Sequence, residues 1–275
     1  MLDMTATAMI HEAKQLGLTI EIGGVPVRVN TEDSRFVDML SERYAGFVSE
    51  ATVAEMEFDV DLIAQGQPSN EDVSVRRNGG RWILRRGDFR AEWDPGSKKG
   101  WIRQTANPYS IDAVLRIVHT LVLARQGGFL AHSASAMRNG KSFLFAGVSE
   151  AGKTTISRLA PPDATLLTDE ISYVRSCAAG YVAYGTPFTG ELAKLGENVS
   201  APLAALYFLA KGNENRIDAM EPAEAARQLL ANMLFFAEDE ELVQTMFYTA
   251  FEFVSRVPTA RLTFIPDARV WELIG

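Results

Sequence analysis

The chain has 275 residues, 47% of them hydrophobic and 23% charged, the composition of a soluble globular protein that can bury a substantial core. Its formal net charge of −8 argues against a generic nucleic-acid-binding surface, and its longest strongly apolar run, residues 201–210, is about half of what a membrane span needs. A single cysteine, Cys177, excludes an intrachain disulfide, and the polar N-terminus is unlike a secretory signal, so we expect a cytoplasmic protein with no membrane or nucleic-acid partner.

Residues 1–105 are expected to form a β-rich N-terminal domain with one helix. Residues 18–29 alternate around a Gly-Gly pair, which indicates a hairpin. Residues 34–47 carry apolar side chains at helical spacing, whereas residues 57–63 alternate as a strand does. Residues 73–103 contain three or four short strands separated by turn sequences. Nothing in this half indicates catalysis.

A group of arginines alternates with apolar residues in the second part of this half. We interpret the group as the solvated faces of hairpin strands, with a docking surface for an acidic partner as the alternative. Its members are Arg76, Arg77, Arg81, Arg85, Arg86 and Arg90.

Residues 106–275 are expected to form a second domain, of the α/β class with a mixed sheet. Pro108 is predicted to stop the preceding strand and Ser110 to cap the next helix, over 111–126. His119 on this helix is interpreted as a structural residue. Residues 129–146 then predict a hairpin that turns at an Arg-Asn-Gly-Lys sequence.

The remaining elements are predicted from their apolar patterns and turn residues. They are a helix over 153–160, strands over 164–167, 171–174, 181–184, 203–209 and 262–265, helices over 221–236 and 238–254, and a terminal turn of helix over 267–274.

Between the second hairpin strand and the next helix the sequence reads GVSEAGKTT, which has the spacing G-x-x-x-x-G-K-[ST] of a phosphate-binding loop. Such a loop turns its backbone N–H groups toward an anion. Lys153 would reach the terminal phosphates of a nucleotide, and the Thr154 hydroxyl would ligate Mg²⁺. Glu150 stands where such loops often carry glycine, and glutamate tolerates a positive φ poorly. The predicted nucleotide-binding residues are Gly147, Val148, Ser149, Glu150, Ala151, Gly152, Lys153, Thr154 and Thr155.

Asp169 and Glu170 follow an apolar strand, 15 residues after Thr154. One carboxylate there would hold Mg²⁺ directly or through water, and the other would accept a proton from an attacking hydroxyl. The predicted metal ligands are therefore Thr154, Glu170 and Asp169, and the predicted catalytic residues include Asp169 and Lys153.

His132 lies on the strand expected to pair with the strand before the loop, among small residues. A site role and a core role for it are both open on the local sequence. Thr186, Glu191 and Lys194 accompany a Gly-Thr-Pro-Phe sequence that shapes either a binding loop or a tight turn. Arg216 is either a phosphate ligand or a surface residue.

Together, His132, the sequence GVSEAGKTT, the LLTDE strand end and the GTPFTGEL loop resemble the HPr kinase/phosphorylase family. They resemble most closely its shorter HPr kinase-related members, some of which lie in peptide-modification gene clusters. The resemblance covers about residues 128–220 and does not extend to the first hundred residues. It implies a P-loop domain of the HPr kinase/phosphoenolpyruvate carboxykinase type, preceded here by the β-rich domain.

The resemblance also implies roles for individual residues. Residues 147–155 would bind the nucleotide phosphates, and Thr154 and Glu170 would hold Mg²⁺. Asp169 would be the general base toward a serine hydroxyl, and His132 would lie near the phosphates and add to the catalytic set. A homo-oligomer is a further implication of the same resemblance.

The sequence therefore predicts a kinase that uses ATP, or another nucleoside triphosphate, with Mg²⁺. Its acceptor is a serine-type hydroxyl on a peptide, a protein or a small molecule. The alternatives are a nucleotide-binding scaffold with little catalysis, which docks a partner through its first half, and a simple NTPase.

Overall fold

The computed structural model describes residues 16–65, 72–190, 192 and 195–275. It is a mixed α/β protein with two mixed sheets, and most of its regular structure is strand. This confirms the expected class. The predicted lead-in before residue 16, and the side chains of Glu191 and Lys194, lie outside the described residues. No helix in the described part of the chain combines the length and the hydrophobicity that a membrane crossing requires.

The first sheet is built by the β-rich half, and its strands run in the order β1-β2-β3-β7-β6-β5-β4. The pairs β2–β3 and β3–β7 are parallel and the others are antiparallel. One helix, α1, connects β2 to β3. The elements are β1 (Leu16–Ile22), β2 (Val25–Thr31), α1 (Ser34–Arg43), β3 (Met56–Leu62), β4 (Ser74–Asn78), β5 (Arg81–Arg86), β6 (Phe89–Asp94) and β7 (Lys99–Gln104).

The second sheet carries nine strands, and five helical segments accompany it. They are α2 (Pro108–Ala124), β8 (Phe129–Arg138), β9 (Lys141–Ala146), α3 (Lys153–Arg158), β10 (Thr165–Thr168), β11 (Ile171–Cys177), β12 (Gly180–Tyr184), β13 (Ser200–Lys211), β14 (Arg216–Ala219), α4 (Pro222–Asn232), β15 (Met233–Leu234), α5 (Glu240–Arg256), β16 (Thr259–Phe264) and a 3₁₀ helix (Ala268–Glu272).

Strand β8 organises this sheet because it pairs with a different set of strands along each half of its length. Its first half pairs with β11 and β15, and its second half lies between β9 and β10, antiparallel to both. Strands β9 and β10 are therefore parallel to each other. Strand β13 is parallel to β9 on one side and to β16 on the other. The carboxyl ends of β9, β10, β13 and β16 consequently meet at one edge.

Several predicted boundaries are wrong, for local reasons. Helix α1 ends at Arg43 rather than 47, because Gly46 turns the chain at φ 84°. Helix α2 begins at Pro108, whose fixed φ suits the first turn, and the side chain of Asn107 caps it instead of Ser110. The helix expected over 221–236 ends at Asn232. Met233 and Leu234 then pair with β8, which satisfies their backbone groups.

The larger of two clusters of buried hydrophobic residues in the described chain is continuous across residue 105. This cluster extends from Ile20 in β1 to Phe253 in α5. Gly23, in the first hairpin, lies so close to Tyr173 that an added Cβ would be 2.2 Å from its ring. The Gly23 carbonyl also accepts a hydrogen bond from Arg175 Nη1 at 3.0 Å. The two halves are thus in direct contact through apolar and polar groups, while the domain boundary itself stays a prediction.

A buried carboxylate, Asp112 on α2, joins the two halves. It accepts hydrogen bonds from Arg43 and from the Tyr44 hydroxyl, both at the end of α1. Arg116 lies one helical turn along α2, with Nη2 4.0 Å from the same carboxylate. Burial and the negative charge of Asp112 raise the pKa of Tyr44 well above its ordinary value, so its hydroxyl keeps the proton that it donates.

We expect Asp112→Asn to lower the free energy of unfolding by about 3 kcal/mol, because the mostly buried guanidinium of Arg43 would lose its countercharge. Urea unfolding at neutral pH measures the change. Glu252→Gln is the matched control, since it breaks the exposed 3.1 Å pair with Arg256 and should change stability by less than about 1 kcal/mol. Equal effects of the two variants would contradict a structural role for Asp112.

Candidate functional site

A pocket of about 860 Å³ opens at the edge where the four parallel strands end. Ligand sites in α/β sheets favour such an edge, outside the carboxyl ends of the strands, and the volume is within the range of small-molecule sites. The lining residues come from the last residues of β13 and β16 and from the segments that follow β9, β10, β13 and β16, together with His132 and Gly190. They are His132, Ser149, Glu150, Ala151, Gly152, Lys153, Thr154, Thr155, Asp169, Glu170, Gly190, Lys211, Gly212, Phe264 and Pro266.

The predicted phosphate loop forms one wall of this pocket, between the end of β9 and the start of α3. Its turn is closed by a hydrogen bond of 3.1 Å from the Ala151 N–H to the Val148 carbonyl. Gly152 adopts φ 113°, and a Cβ there would be 2.7 Å from the Phe264 ring. Glycine is therefore required at 152 by both the backbone and the space. Glu150 is exposed and also adopts a positive φ, 62°, a strained conformation for this residue type.

Lys153 is buried on the inner side of the loop. Its ammonium donates to the carbonyls of Gly147 at 3.0 Å and of Val148 at 3.4 Å, and its residue is only 8% exposed. The charge is thus held beneath the loop rather than in bulk water. Thr154 and Thr155, half-buried at the start of α3, also line the pocket.

The two predicted acids lie on the opposite wall, after β10. Asp169 is buried, and its two carboxylate oxygens accept backbone N–H groups of Gly190 and Leu192, each at 2.9 Å. These bonds fix both the orientation of the carboxylate and the position of the segment around Gly190. A Cβ at Gly190 would lie 2.6 Å from Glu170 Oε2, so the absence of a side chain there leaves room for the second acid.

Glu170 pairs with His132, whose Nε2 lies 3.4 Å from Glu170 Oε1. Strand register brings them together, because His132 is opposite Ile171, the residue after Glu170. The hydrogen bond from His132 lowers the pKa of Glu170, and the positive charges of Arg116 and Lys153 act in the same direction, against partial burial. His132 therefore lines the pocket beside Glu170, while its role there stays a prediction.

The segment 186–190 is held from both sides. On the site side, the Thr168 hydroxyl donates to the Phe188 carbonyl at 3.3 Å, and Asp169 holds Gly190. On the other side, the Arg116 guanidinium lies over the Phe188 ring at 4.8 Å. Arg43 Nη1 also donates to the Pro187 carbonyl at 3.1 Å. Helix α1 of the first half therefore braces the wall of the pocket.

The residues present fit Mg²⁺ only in part. No group of three or more His, Cys, Asp or Glu side chains with metal-binding geometry occurs among the described residues. Mg²⁺, however, commonly takes one or two carboxylates and completes its shell with water and substrate phosphates. Glu170 and Thr154 both line the pocket, and a carboxylate and a hydroxyl suit that mode. Asp169 has less capacity, since both of its oxygens already accept N–H groups.

Four residues of the pocket were not predicted: Lys211, Gly212, Phe264 and Pro266. Lys211 and Phe264 end β13 and β16, Gly212 and Pro266 follow them, and no local motif marks the four. Their only signal was the apolar character of strands that turn out to run parallel to β9.

Gly147 and Val148 of the predicted nucleotide-binding set do not line the pocket. Three further candidates from the sequence also lie outside it. Thr186 is buried and donates to the Ile171 carbonyl at 2.9 Å. Arg216 is exposed and paired with Glu214 and Asp218. His119 is a core residue, as expected, with Nδ1 3.1 Å from the Tyr173 hydroxyl, and burial lowers its pKa to about 3.

The sequence model of the family described as SynChlorMet cassette protein ScmC matches residues 103–275. This match covers more than half of the chain, so the protein belongs to the ScmC family. The β-rich residues before 103 lie outside the match. No curated protein matches the sequence.

The expected membership in the HPr kinase/phosphorylase-related family is therefore wrong, because the family matched is ScmC. The segments that carried the resemblance are short. A G-x-x-x-x-G-K-[ST] loop and an acid pair after a strand meet the local needs of phosphate binding, so they do not distinguish between families that share those needs.

We expect His132→Ala to raise the pKa of Glu170, because its largest pKa-lowering contact is removed while partial burial stays. Carboxyl-detected NMR titration of the Glu170 side chain measures the shift. In the native protein the stabilisation linked to Glu170 is complete above its ordinary pKa of 4.5 and is lost as pH falls through the depressed value. The His132→Ala variant should lose less stability over that acidic range.

The control is Arg158→Ala, which removes an exposed charge outside the pocket. It should leave the Glu170 pKa unchanged; an equal shift in this variant would argue against the His132 contact.

Proposed function

We propose that this protein is a P-loop phosphotransferase of the cytoplasm. It would use ATP, or another nucleoside triphosphate, to phosphorylate a serine-type hydroxyl on a peptide, a protein or a small molecule. The observation that carries the proposal is the convergence on one pocket of a G-x-x-x-x-G-K-T loop, a buried lysine and an acid pair, all at the carboxyl edge of parallel strands.

The loop wall suits the phosphates of a nucleotide. Its backbone N–H groups follow a strand and precede a helix, the arrangement that cradles phosphate oxygens. The Lys153 ammonium now rests on the Gly147 and Val148 carbonyls, which are neutral acceptors. A phosphate is a stronger acceptor for an ammonium than a carbonyl, so a bound nucleotide would compete for the same donor.

The acid wall suits the hydroxyl. Asp169 is proposed as the proton acceptor, because two backbone N–H groups orient its carboxylate and a second lone pair remains on each oxygen. Glu170, together with Thr154, is proposed to hold Mg²⁺, which would neutralise charge on the phosphates. His132 orients Glu170 from 3.4 Å. Lys153 would stabilise negative charge that develops during transfer.

The second candidate is a nucleotide-binding scaffold with little catalysis, or a simple NTPase. Glu150 favours it, because an exposed carboxylate in the loop at φ 62° brings a negative charge near the proposed phosphate site. A nucleotide would still bind in this case. The two candidates differ in whether a phosphoryl group reaches an acceptor, and the NTPase differs by releasing phosphate to water.

Lys153→Ala is expected to weaken Mg²⁺–ATP binding by at least about tenfold, since the terminal phosphates would lose a buried positive charge. Isothermal titration calorimetry on the full chain measures the affinity. Lys141→Ala removes an exposed lysine at the start of β9 and serves as the control. Absence of saturable binding to the native protein would remove the basis of both candidates.

Asp169→Asn is expected to reduce phosphoryl transfer by about 10²–10⁴-fold, the usual contribution of a general base, while ATP affinity changes by no more than a few-fold. Transfer of γ-³²P from ATP to a library of serine-containing peptides and to free serine measures the reaction. The matched control is Asp163→Asn, which removes an exposed carboxylate outside the pocket. Nucleotide binding with no transfer from the native protein, to any acceptor in the screen, would favour the scaffold; phosphate release alone would favour the NTPase.

A further inference from the structure

The outer face of the seven-stranded sheet brings arginines side by side. In the register of β5, β6 and β7, Arg85 is directly opposite Arg90, and Arg90 is directly opposite Arg103. Side chains directly opposite each other on adjacent strands project to the same face, with Cβ atoms about 4.5–5.5 Å apart. All three residues are exposed. The three arginines are separated in the sequence, whereas the pairing of β5, β6 and β7 aligns them in a row.

This row is only partly neutralised. Arg103 pairs with Asp61 at 3.2 Å. The nearest acids on β6 are already used, because Arg81 lies 3.0 Å from Glu92 and 3.9 Å from Asp94. Within the described chain, no carboxylate is within 4.0 Å of the guanidinium of Arg85 or of Arg90. Like charges directly opposite each other destabilise a sheet, so the fold retains an unfavourable contact that a bound anion would relieve.

An aromatic surface lies beside the unneutralised pair. The Arg90 guanidinium is 5.6 Å from the centre of the Trp101 ring. Trp101 is half-buried and is opposite Glu92 in the register, next to Ile83 on the following strand. The face therefore combines the two guanidiniums with an indole and an aliphatic side chain. Glu92, between Trp101 and Ile83, is paired with Arg81. Arginine and tryptophan are among the residue types enriched in the energetically dominant positions of protein interfaces.

We propose that this face, defined by Arg85, Arg90 and Trp101, is a docking surface for an acidic peptide segment of a partner protein. The short length of the arginine row favours a peptide over a nucleic acid as the bound partner. The basic row ends at Asp61, and Asp59 lies opposite Trp101 on β3, so a continuous phosphate backbone would meet carboxylates within two strands. A short peptide with two or three acidic side chains matches the two guanidiniums and avoids that repulsion.

This proposal does not depend on phosphotransfer. Arg85, Arg90 and Trp101 all precede residue 103, outside the family match, and none of them lines the proposed nucleotide pocket. A negative result for one proposal therefore leaves the other intact, because the pocket is tested with nucleotide and the sheet face with an acidic peptide.

The test is fluorescence anisotropy of a labelled peptide of alternating Glu and Gly, with a Gln–Gly peptide of the same length as the neutral comparison. The full-length protein should bind the Glu peptide at least tenfold more tightly, and the affinity should fall as salt rises from 0.05 to 0.5 M. Equal binding of the two peptides, or no binding of the Glu peptide at low salt, would overturn the proposal. Binding of single-stranded oligo(dT) of equal charge more tightly than the Glu peptide would also overturn the proposal.

Arg90→Glu separates a docking role from a folding role. A glutamate there would lie between Arg85 and Arg103 and form cross-strand pairs of opposite charge. We expect the midpoint urea concentration of unfolding to rise, while affinity for the Glu peptide falls at least tenfold. Arg216→Glu, on an exposed strand away from this face, makes the same change in net charge. It should leave peptide affinity within twofold; an equal loss there would show that net charge, not this face, binds the peptide.

Discussion

The position of strand β8 between β9 and β10 is the constraint on which the pocket depends. Because both neighbours are antiparallel to β8, they are parallel to each other and end at the same edge. The loop after β9 and the acids after β10 are therefore brought to opposite walls of one pocket. Parallel pairing of β13 with β9 and with β16 extends that edge and adds the other two wall segments.

The same strand brings a third group to the site. The first half of β8 pairs with β11, so that His132 faces the residue after Glu170. The change of partners along β8 falls between His132 and Ser133, where the chain leaves one pairing and enters the other. The small residues that follow His132 allow neighbouring elements to pack closely against both sides of β8. His132 is thus placed by a change in strand pairing and not by a motif.

Support for the pocket comes from outside the second half. Arg43 of α1 bonds both to Asp112 and to the Pro187 carbonyl, and Arg116 covers Phe188. The segment 186–190 therefore lies between a charged cluster and the Asp169 carboxylate, with hydrogen bonds to each. On the side of the charged cluster, its contacts with Arg43 and Arg116 join residues more than 60 apart in sequence. The β-rich half therefore contributes directly to the geometry of the site.

The predicted phosphate loop shows where local sequence was sufficient for the backbone and where it was not. Spacing alone located the loop, its lysine and its glycines, because these residues serve a backbone conformation that is fixed within nine positions. Gly152 at φ 113° is an example. The sequence also indicated that Glu150 would be unfavourable at positive φ, and the structure has it there, at 62°. It could not show that Lys153 would rest on the loop carbonyls.

By itself, the sequence determined the mixed α/β class, nearly all of the strands, the loop and the acid pair, since each is encoded in the periodicity or spacing of neighbouring residues. The sequence did not predict the helix ends at Arg43 and Asn232, the strand Arg216–Ala219 or the family. Only the tertiary structure decided that Lys211 and Phe264 line the pocket, that Asp169 holds the segment at Gly190, and that Arg85 and Arg90 stand opposite each other. These facts depend on which strands pair and in what register, and that choice is made by the burial of the whole core.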